Sequence, residues 1–253
     1  MHMLNKRRPG YGDFGVLANR YNEFRRGVPS EVIDYFYQSL KVFNPTVLDV
    51  GCGTGISTRQ MIRDGVKLFG VDVDHKMVEL ARGKSSSTIH YTTAPAKNLP
   101  FAKEQFDALT AFSAFHWFSD DDSVAEIKRV LIKKGTFFVV NKNDVGEFKD
   151  GYKAVLKNFI AGELPDVKKN YKPSDILFAN GFDNVCERTF ETKELLTISQ
   201  AIKYFQTVSL WNLIRQDKKS EALLALEKYC QNKSIHGHVE RRLNVVAVIG
   251  TKS

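Results

Sequence analysis

Val47–Thr58 reads VLDVGCGTGIST. An apolar run leads into Asp49, and glycine then takes every second place at Gly51, Gly53 and Gly55. A short apolar run bounded by turn residues reads as a buried strand. Glycine is needed where φ must be positive or where a Cβ would block a close approach. A bare turn between a strand and a helix brings backbone N–H groups and a helix start close to a ligand. The stretch therefore predicts a strand, a tight turn, a helix, and a nucleotide-type ligand held against the turn.

The same rhythm continues outward. Upstream, Glu31 to Val42 reads as a helix with Val32, Ile33, Phe36 and Leu40 on one side. The opening run gives a strand at Thr46–Val50 and a helix at Ser57–Asp64 that ends at Gly65. Val66–Val73, Ile89–Thr93, Phe106–Ser113 and Thr136–Asn141 read as further strands, and His75–Arg82 as a helix. Ser119 with Asp122 resembles a capping box opening a helix that carries Val124, Ile127, Val130 and Leu131. Alternating strands and helices predict a doubly wound α/β sheet, mostly parallel, with helices on both faces.

The alternation breaks near Gly146. Phe148, Tyr152, Val155, Leu156, Phe159 and Ile160 share a helical face, Pro165–Lys172 is a basic loop, and Ser174–Asn180 is a short helix stopped by Gly181. Residues 183–196 read as extended, 198–230 as two helical stretches, and the end, RRLNVVAVIGTKS, as a strand. The expected organisation is an N-terminal lid and first helix over 1–44 and a cofactor-binding core over 45–145. A mainly helical insertion, or substrate cap, follows over 146–235, and a C-terminal core strand over 236–253.

Asp72 ends the second strand, about 20 residues after the turn, where an acid accepts from both ribose hydroxyls. A dinucleotide fingerprint needs glycine at position 56, where Ile56 stands, and no Gly-Lys-Ser/Thr run marks a P-loop. Asp49, just before the turn, would repel a pyrophosphate and favour a ligand with positive charge. Ribose, adenine and a cationic amino-acid tail together describe S-adenosylmethionine.

Composition narrows the alternatives. The chain has 253 residues, 43% of them hydrophobic, so it can bury a substantial core. No run of about 18 apolar residues suggests a membrane span, and the N-terminus lacks the apolar stretch of a secretory signal. Cys52, Cys186 and Cys230 are scattered and odd in number, which disfavours disulfides, a zinc site or an iron–sulfur cluster and fits a reducing cytoplasm. No metal is expected. The net charge of +8 is read as dispersed surface lysine rather than a nucleic-acid stripe.

Four segments carry a family resemblance: VLDVGCGTG, GVDVDHKMVELAR, APAKNLPFAKEQFDALTA and EIKRVLIKKGTFFVV. In order and spacing they resemble the class I S-adenosylmethionine-dependent methyltransferases of the type 11 kind. The resemblance implies a Rossmann-like seven-stranded sheet whose last strand is antiparallel. It places Gly51, Cys52, Gly53 and Gly55 around the methionine part of S-adenosylmethionine, or of the product S-adenosylhomocysteine. Asp49 would orient the ligand's amino group and Asp72 would hold the ribose. Val73 and Met77 would pack on adenine, Ala96 and Lys97 would border its edge, and Phe112 would complete the cofactor pocket. Pro95 departs from the family, which often has an acid there.

After the fourth strand comes AFSAFHWFSDDDS. It lacks the Asn/Asp-Pro-Pro-aromatic motif of many enzymes that methylate nucleobases or glutamine. HWF, with YNEFRRGVP near the N-terminus, instead resembles the trans-aconitate methyltransferase group. That resemblance implies an acceptor site at Tyr21, Arg25, His116 and Trp117, with His116 positioning the acceptor or serving as base. It points to a small-molecule acceptor, with carboxylic acids among the candidates. Two alternatives stay open: an RNA methyltransferase using the basic surface, and a non-catalytic S-adenosylmethionine-binding protein. Oligomeric state is unassigned.

Overall fold

The computed structural model describes residues 25–162 and 171–253. Tyr21, the rest of the expected lid before Arg25 and most of the basic loop after Pro165 lie outside the described residues.

Seven strands form one sheet: β1 (Thr46–Val50), β2 (Lys67–Asp72), β3 (Ile89–Thr93), β4 (Phe106–Phe112), β5 (Leu131–Val145), β6 (Phe182–Thr197) and β7 (His238–Lys252). Their spatial order is β3-β2-β1-β4-β5-β7-β6. β1 pairs in parallel with β2 and β4, β2 with β3, and β4 with β5. The last strand is antiparallel, as expected. The order reverses between β1 and β4, and open α/β sheets hold ligands at such a switch point, beyond the carboxyl ends of the strands.

The chain comprises two compact units. The core unit comprises Arg26–Asn143, Asn170–Thr192 and Asn244–Ser253; the other contains Arg25, residues 144–162 and Lys193–Leu243 among its described residues. In the core unit, successive strand residues face opposite sides of the sheet. Val47, Leu68, Ala108 and Phe138 pack with Val32, Ile33 and Phe36 of α1 (Ser30–Ser39) and with Val78 and Ala81 of α3 (His75–Lys84). Their neighbours Leu48, Leu109, Phe137 and Val139 pack on the other side with Val124, Ile127 and Val130 of α4 (Asp121–Val130). Leu177 of α6 (Pro173–Ala179) joins that second layer. Two full layers explain why these strands read as nearly continuous apolar runs.

The second unit has its own core. Phe148, Tyr152 and Leu156 of α5 (Gly146–Lys157) pack with Ala201, Tyr204 and Phe205 of α7 (Ile198–Phe205). Ala222, Leu226 and Cys230 of α8 (Lys219–Lys233) complete that core.

Several boundaries differ from expectation. α2 covers only Ile56–Gln60, because Met61 and Ile62 close the end with tighter bonds to Thr58 and Arg59. β5 begins at Leu131 rather than Thr136: it runs through the Lys133–Lys134 stretch with a register shift against β4, and Lys134 takes φ +60°. Helix α4 is capped by Asp120, not Ser119. The Asp120 carboxylate accepts from both the backbone N–H and the hydroxyl of Ser123, each at 3.0 Å. One residue satisfies two donors there, which the Ser119–Asp122 pairing would not do.

Candidate functional site

The three glycines of the turn all take positive φ, but for different reasons. A Cβ on Gly51 would lie 2.6 Å from Ala114 Cβ and 3.0 Å from the Phe118 ring. A Cβ on Gly55 would lie 2.4 Å from the Tyr91 hydroxyl. Gly53 alone faces open space, with nothing within 4 Å of where its Cβ would stand. So Gly51 lets the segment after β4 close onto the turn, Gly55 seats the turn on β3, and Gly53 is where a ligand can approach the backbone.

Hydrogen-bond accounting says which ligand fits. The Gly51 and Cys52 N–H groups both donate to Val71 O, at 2.8 and 3.0 Å. The Gly53 N–H donates to Asp72 Oδ2 at 2.8 Å, and the Gly55 N–H to Cys52 O at 2.9 Å. These four donors are committed within the protein and are not offered to a phosphate. The groups on offer are acids.

Asp72 receives N–H groups from Gly53 and, at 2.9 Å, from Asp74. Burial pushes its carboxyl up, against the opposing pull of those two N–H bonds. Each oxygen keeps lone-pair capacity for a further donor such as a ribose hydroxyl. Beside it, Val73 is 71% exposed, an uncovered apolar surface next to a half-buried acid. Met77, at the start of α3, is buried. Asp74 caps that helix by accepting from Lys76 and Met77 N–H groups, which fixes the turn that carries Asp72 and Val73.

Asp49 is 1% exposed. Its Oδ2 accepts from the Thr58 hydroxyl at 2.6 Å and its Oδ1 from the Thr110 hydroxyl at 3.0 Å. Burial pushes it up to about 7; the two hydroxyl bonds work against that shift, and nearby Asp72 adds to it. Buried Asp49 and half-buried Asp72 thus lie close enough to feel each other's charge, and both are held by neutral donors. Such a pair favours a ligand bearing positive charge. Cys52 sits between the two acids, its thiol pushed well up by burial and by their charges, so it is no nucleophile.

The residues expected to complete the cofactor pocket and to meet the acceptor lie at the end of β4 and just after it. Phe112 packs against Phe138 with ring centroids 6.3 Å apart. His116 and Trp117 lie on the short turn Phe115–Trp117, their rings 4.7 Å apart. Ala96 is half-buried and Lys97 exposed on the loop after β3, where Asn98 N–H donates to Pro95 O. Arg25 falls in the other unit. Its Nε–H donates to the Thr207 hydroxyl at 2.9 Å and its Nη2–H to Thr207 O at 3.2 Å, with the guanidinium 4.8 Å over the Tyr204 ring. The core unit therefore gathers Asp49, Gly51, Cys52, Gly53, Gly55, Asp72, Val73 and Met77 at the switch point, and Arg25 is not of that unit.

The sequence reading passed over Asn141 and Tyr171. Asn141 ends the apolar part of β5 and is 5% exposed. Among the described residues, neither its Oδ1 nor the buried Tyr171 hydroxyl has a hydrogen-bond partner. The signal was present for Asn141: a polar residue closes an apolar strand run, as at Asp49 and Asp72. For Tyr171, no local pattern marks it.

Among the described residues, no three His, Cys, Asp or Glu side chains are placed to hold a metal. No helix among them is long and apolar enough to cross a membrane.

Comparison with known proteins agrees with this geometry. Residues 48–139 match a family profile described as a methyltransferase domain. An uncharacterized methyltransferase of Mycobacterium tuberculosis is 28% identical over 127 residues, covering 50% of this chain and 51% of that protein. The chain thus spans about half the length of the first curated relatives it matches. A ubiquinone biosynthesis O-methyltransferase of Klebsiella pneumoniae is 29% identical over 175 residues, covering 66% of this chain and 69% of that protein. Among solved structures, a protein of Anaeromyxobacter dehalogenans assigned as a type II methyltransferase superposes with a TM-score of 0.70 at 18% identity, over 90% of this chain and 97% of that one. With the strand order, these matches show a class I, S-adenosylmethionine-dependent methyltransferase-like fold, in which residues 48–139 are similar to a methyltransferase domain.

Proposed function

We propose that this chain is an S-adenosylmethionine-dependent methyltransferase acting on a small-molecule acceptor. The observation that carries the proposal is a pair of acids at the glycine turn, buried Asp49 and half-buried Asp72, both held by neutral donors. That set fits a cationic adenosyl ligand and not a diphosphate. Asp72 would hold the ribose, Val73 and Met77 the adenine, with Ala96 and Lys97 at its edge. Asp49 would favour the positive amino-acid end, and Gly53 would leave room for it.

The bound cofactor would supply an activated methyl on a sulfonium. The protein's own part is alignment and exclusion of water. The segment Ala114–Phe118 closes on Gly51 and so ties the acceptor side to the cofactor turn. His116 would position the acceptor, or take its proton if the acceptor is a hydroxyl.

A carboxylic-acid acceptor would draw on Arg25, whose guanidinium can pair with a carboxylate through two N–H groups. Arg25 also donates to Thr207, and a carboxylic acid stays one candidate among small-molecule acceptors. An oxygen acceptor keeps support from the Klebsiella relative, described as an O-methyltransferase. A cytoplasmic setting fits the free thiols of Cys52, Cys186 and Cys230.

Incubation of the protein with S-adenosylmethionine and pooled small-molecule acceptors, followed by quantification of S-adenosylhomocysteine, tests the proposal. Acceptor-dependent product supports it and removes the non-catalytic alternative. A salt series with RNA separates the other rival, because phosphate contacts give steep salt dependence.

A further inference from the structure

We infer that Asn141 and Tyr171 form an uncharged subsite that holds a hydroxyl group of the acceptor beside the methyl donor. The inference rests on the methyltransferase reading and names its acceptor chemistry.

The two side chains adjoin the segment that follows β4. Val140 pairs with Phe112, so Asn141 comes level with the end of β4. There Ser113 N–H donates to Val140 O at 2.6 Å, and Lys142 N–H to Ser113 Oγ at 3.2 Å. Those bonds lock the start of the segment that carries His116. Tyr171 packs from the other side, its ring 6.2 Å from Phe115 and 5.7 Å from His116. The same segment presses Ala114 and Phe118 against Gly51. Cofactor turn, His116 and the Asn141–Tyr171 pair are thus joined by five consecutive residues of one unit.

Buried polar atoms in native proteins are nearly always paired. Here the Asn141 Oδ1 and the Tyr171 hydroxyl are buried, and among the described residues neither closes a hydrogen bond. They are nevertheless near enough for the Asn141 amide to act on the Tyr171 phenol, whose pKa is raised chiefly by burial. The amide thus lies close to the phenol, while the amide oxygen and the phenol hydroxyl together offer one acceptor and one donor that no described residue pairs. A hydroxyl donates and accepts at once and so satisfies both. A carboxylate accepts only, and would set its charge against the amide oxygen. A site built to hydrogen-bond a hydroxyl rejects an analogue lacking it, because its own buried groups then stay unpaired.

The role separates from a structural one through stability. If Asn141 and Tyr171 only support the fold, Tyr171→Phe and Asn141→Leu lower the melting temperature. If they await a ligand, removing unpaired buried polar atoms leaves the melting temperature unchanged or raises it. The experiment uses the full chain with S-adenosylhomocysteine and three fragment probes: phenol, benzoate and fluorobenzene. Protein NMR titrations are expected to show phenol at least fivefold tighter than the other two. Tyr171→Phe and Asn141→Leu should erase that preference, keep S-adenosylhomocysteine affinity within twofold and keep the melting temperature. Equal affinity for the three fragments overturns the inference, as does an unchanged phenol preference in both variants, or lost stability with no change in fragment binding. Should the parent protein fail to bind S-adenosylhomocysteine at all, the methyltransferase reading falls and this inference with it. Normal cofactor binding without a phenol preference overturns the subsite alone.

Discussion

Asp144 in the second unit and Asp49 in the core unit are both buried acids, and their surroundings differ in kind. Asp144 Oδ1 meets the Arg241 guanidinium at 2.7 Å, and its Oδ2 accepts from the Tyr204 and Tyr152 hydroxyls at 2.6 and 3.2 Å. Arg241 also reaches Glu194 at 2.9 Å and lies 3.8 Å over the Tyr204 ring. Charge meets charge, and the carboxylate is complete within the protein. Asp49 receives two threonine hydroxyls and has Asp72 as its charged neighbour. Both acids are satisfied as hydrogen-bond acceptors. Only the first is balanced electrostatically. A compensated buried acid marks architecture; an uncompensated one marks a place for a ligand's positive charge.

The sharpest way to break that contrast is to remove the compensation. Asp144→Ala leaves Arg241 with Glu194 as its remaining ionic partner and takes the acceptor from the Tyr152 and Tyr204 hydroxyls, and breaking a buried pair costs up to about 3–5 kcal/mol. Urea unfolding should show that loss without a proportionate loss in S-adenosylhomocysteine affinity per folded molecule. A stability change under about 1 kcal/mol would mean the network is not the core of its unit.

Asp72→Ala should act the other way, on binding more than on folding. Charge-assisted hydrogen bonds contribute roughly 1.5–3 kcal/mol, so calorimetry should find S-adenosylhomocysteine binding at least tenfold weaker. Unchanged affinity would place the ribose elsewhere.

Asp49→Asn sharpens the contrast through pH. The folded chain holds the Asp49 proton up to about 7, whereas an unfolded aspartate releases it near 3.9. Between those values the folded state binds the extra proton, so stability from this group is present at low pH and lost as pH rises through the window. At pH 8 the ligand-free Asn variant should therefore melt a few degrees higher than the parent, an effect on the order of 1 kcal/mol. The gain should vanish near pH 4. A lower melting temperature at pH 8 would show that the acid is compensated after all.

Much of this was legible because the core strands are buried on both faces. Thr46–Val50 announces itself as an apolar run and Ile89–Thr93 by its β-branched and aromatic residues, and the acids at Asp49 and Asp72 stand out. The same rule, applied to TFFVVN, would have picked out Asn141. The limits of β5 were hidden because Lys133 and Lys134 look like a turn, although the strand continues past them with a shifted register. Tyr171 follows a basic stretch, and only the tertiary fold sets its ring against His116. Arg25 shows the reverse case. A local motif suggested a ligand clamp, but two of its donors serve Thr207, 182 positions away. Sequence shows which residues are chemically able, while packing decides which remain available.

The account's central claim is that the acid-lined turn binds a cationic adenosyl ligand. Calorimetric titration of the parent chain with S-adenosylmethionine at pH 6 and pH 8 tests it most directly. Because Asp49 titrates near about 7 in the ligand-free chain, binding the cation should release its proton. The affinity should then be roughly tenfold higher at pH 8, with a heat that depends on the buffer's own protonation enthalpy. The Asp49→Asn variant should lose that pH dependence. No binding of S-adenosylmethionine at either pH, or tight binding of a dinucleotide such as NAD in its place, would contradict the account.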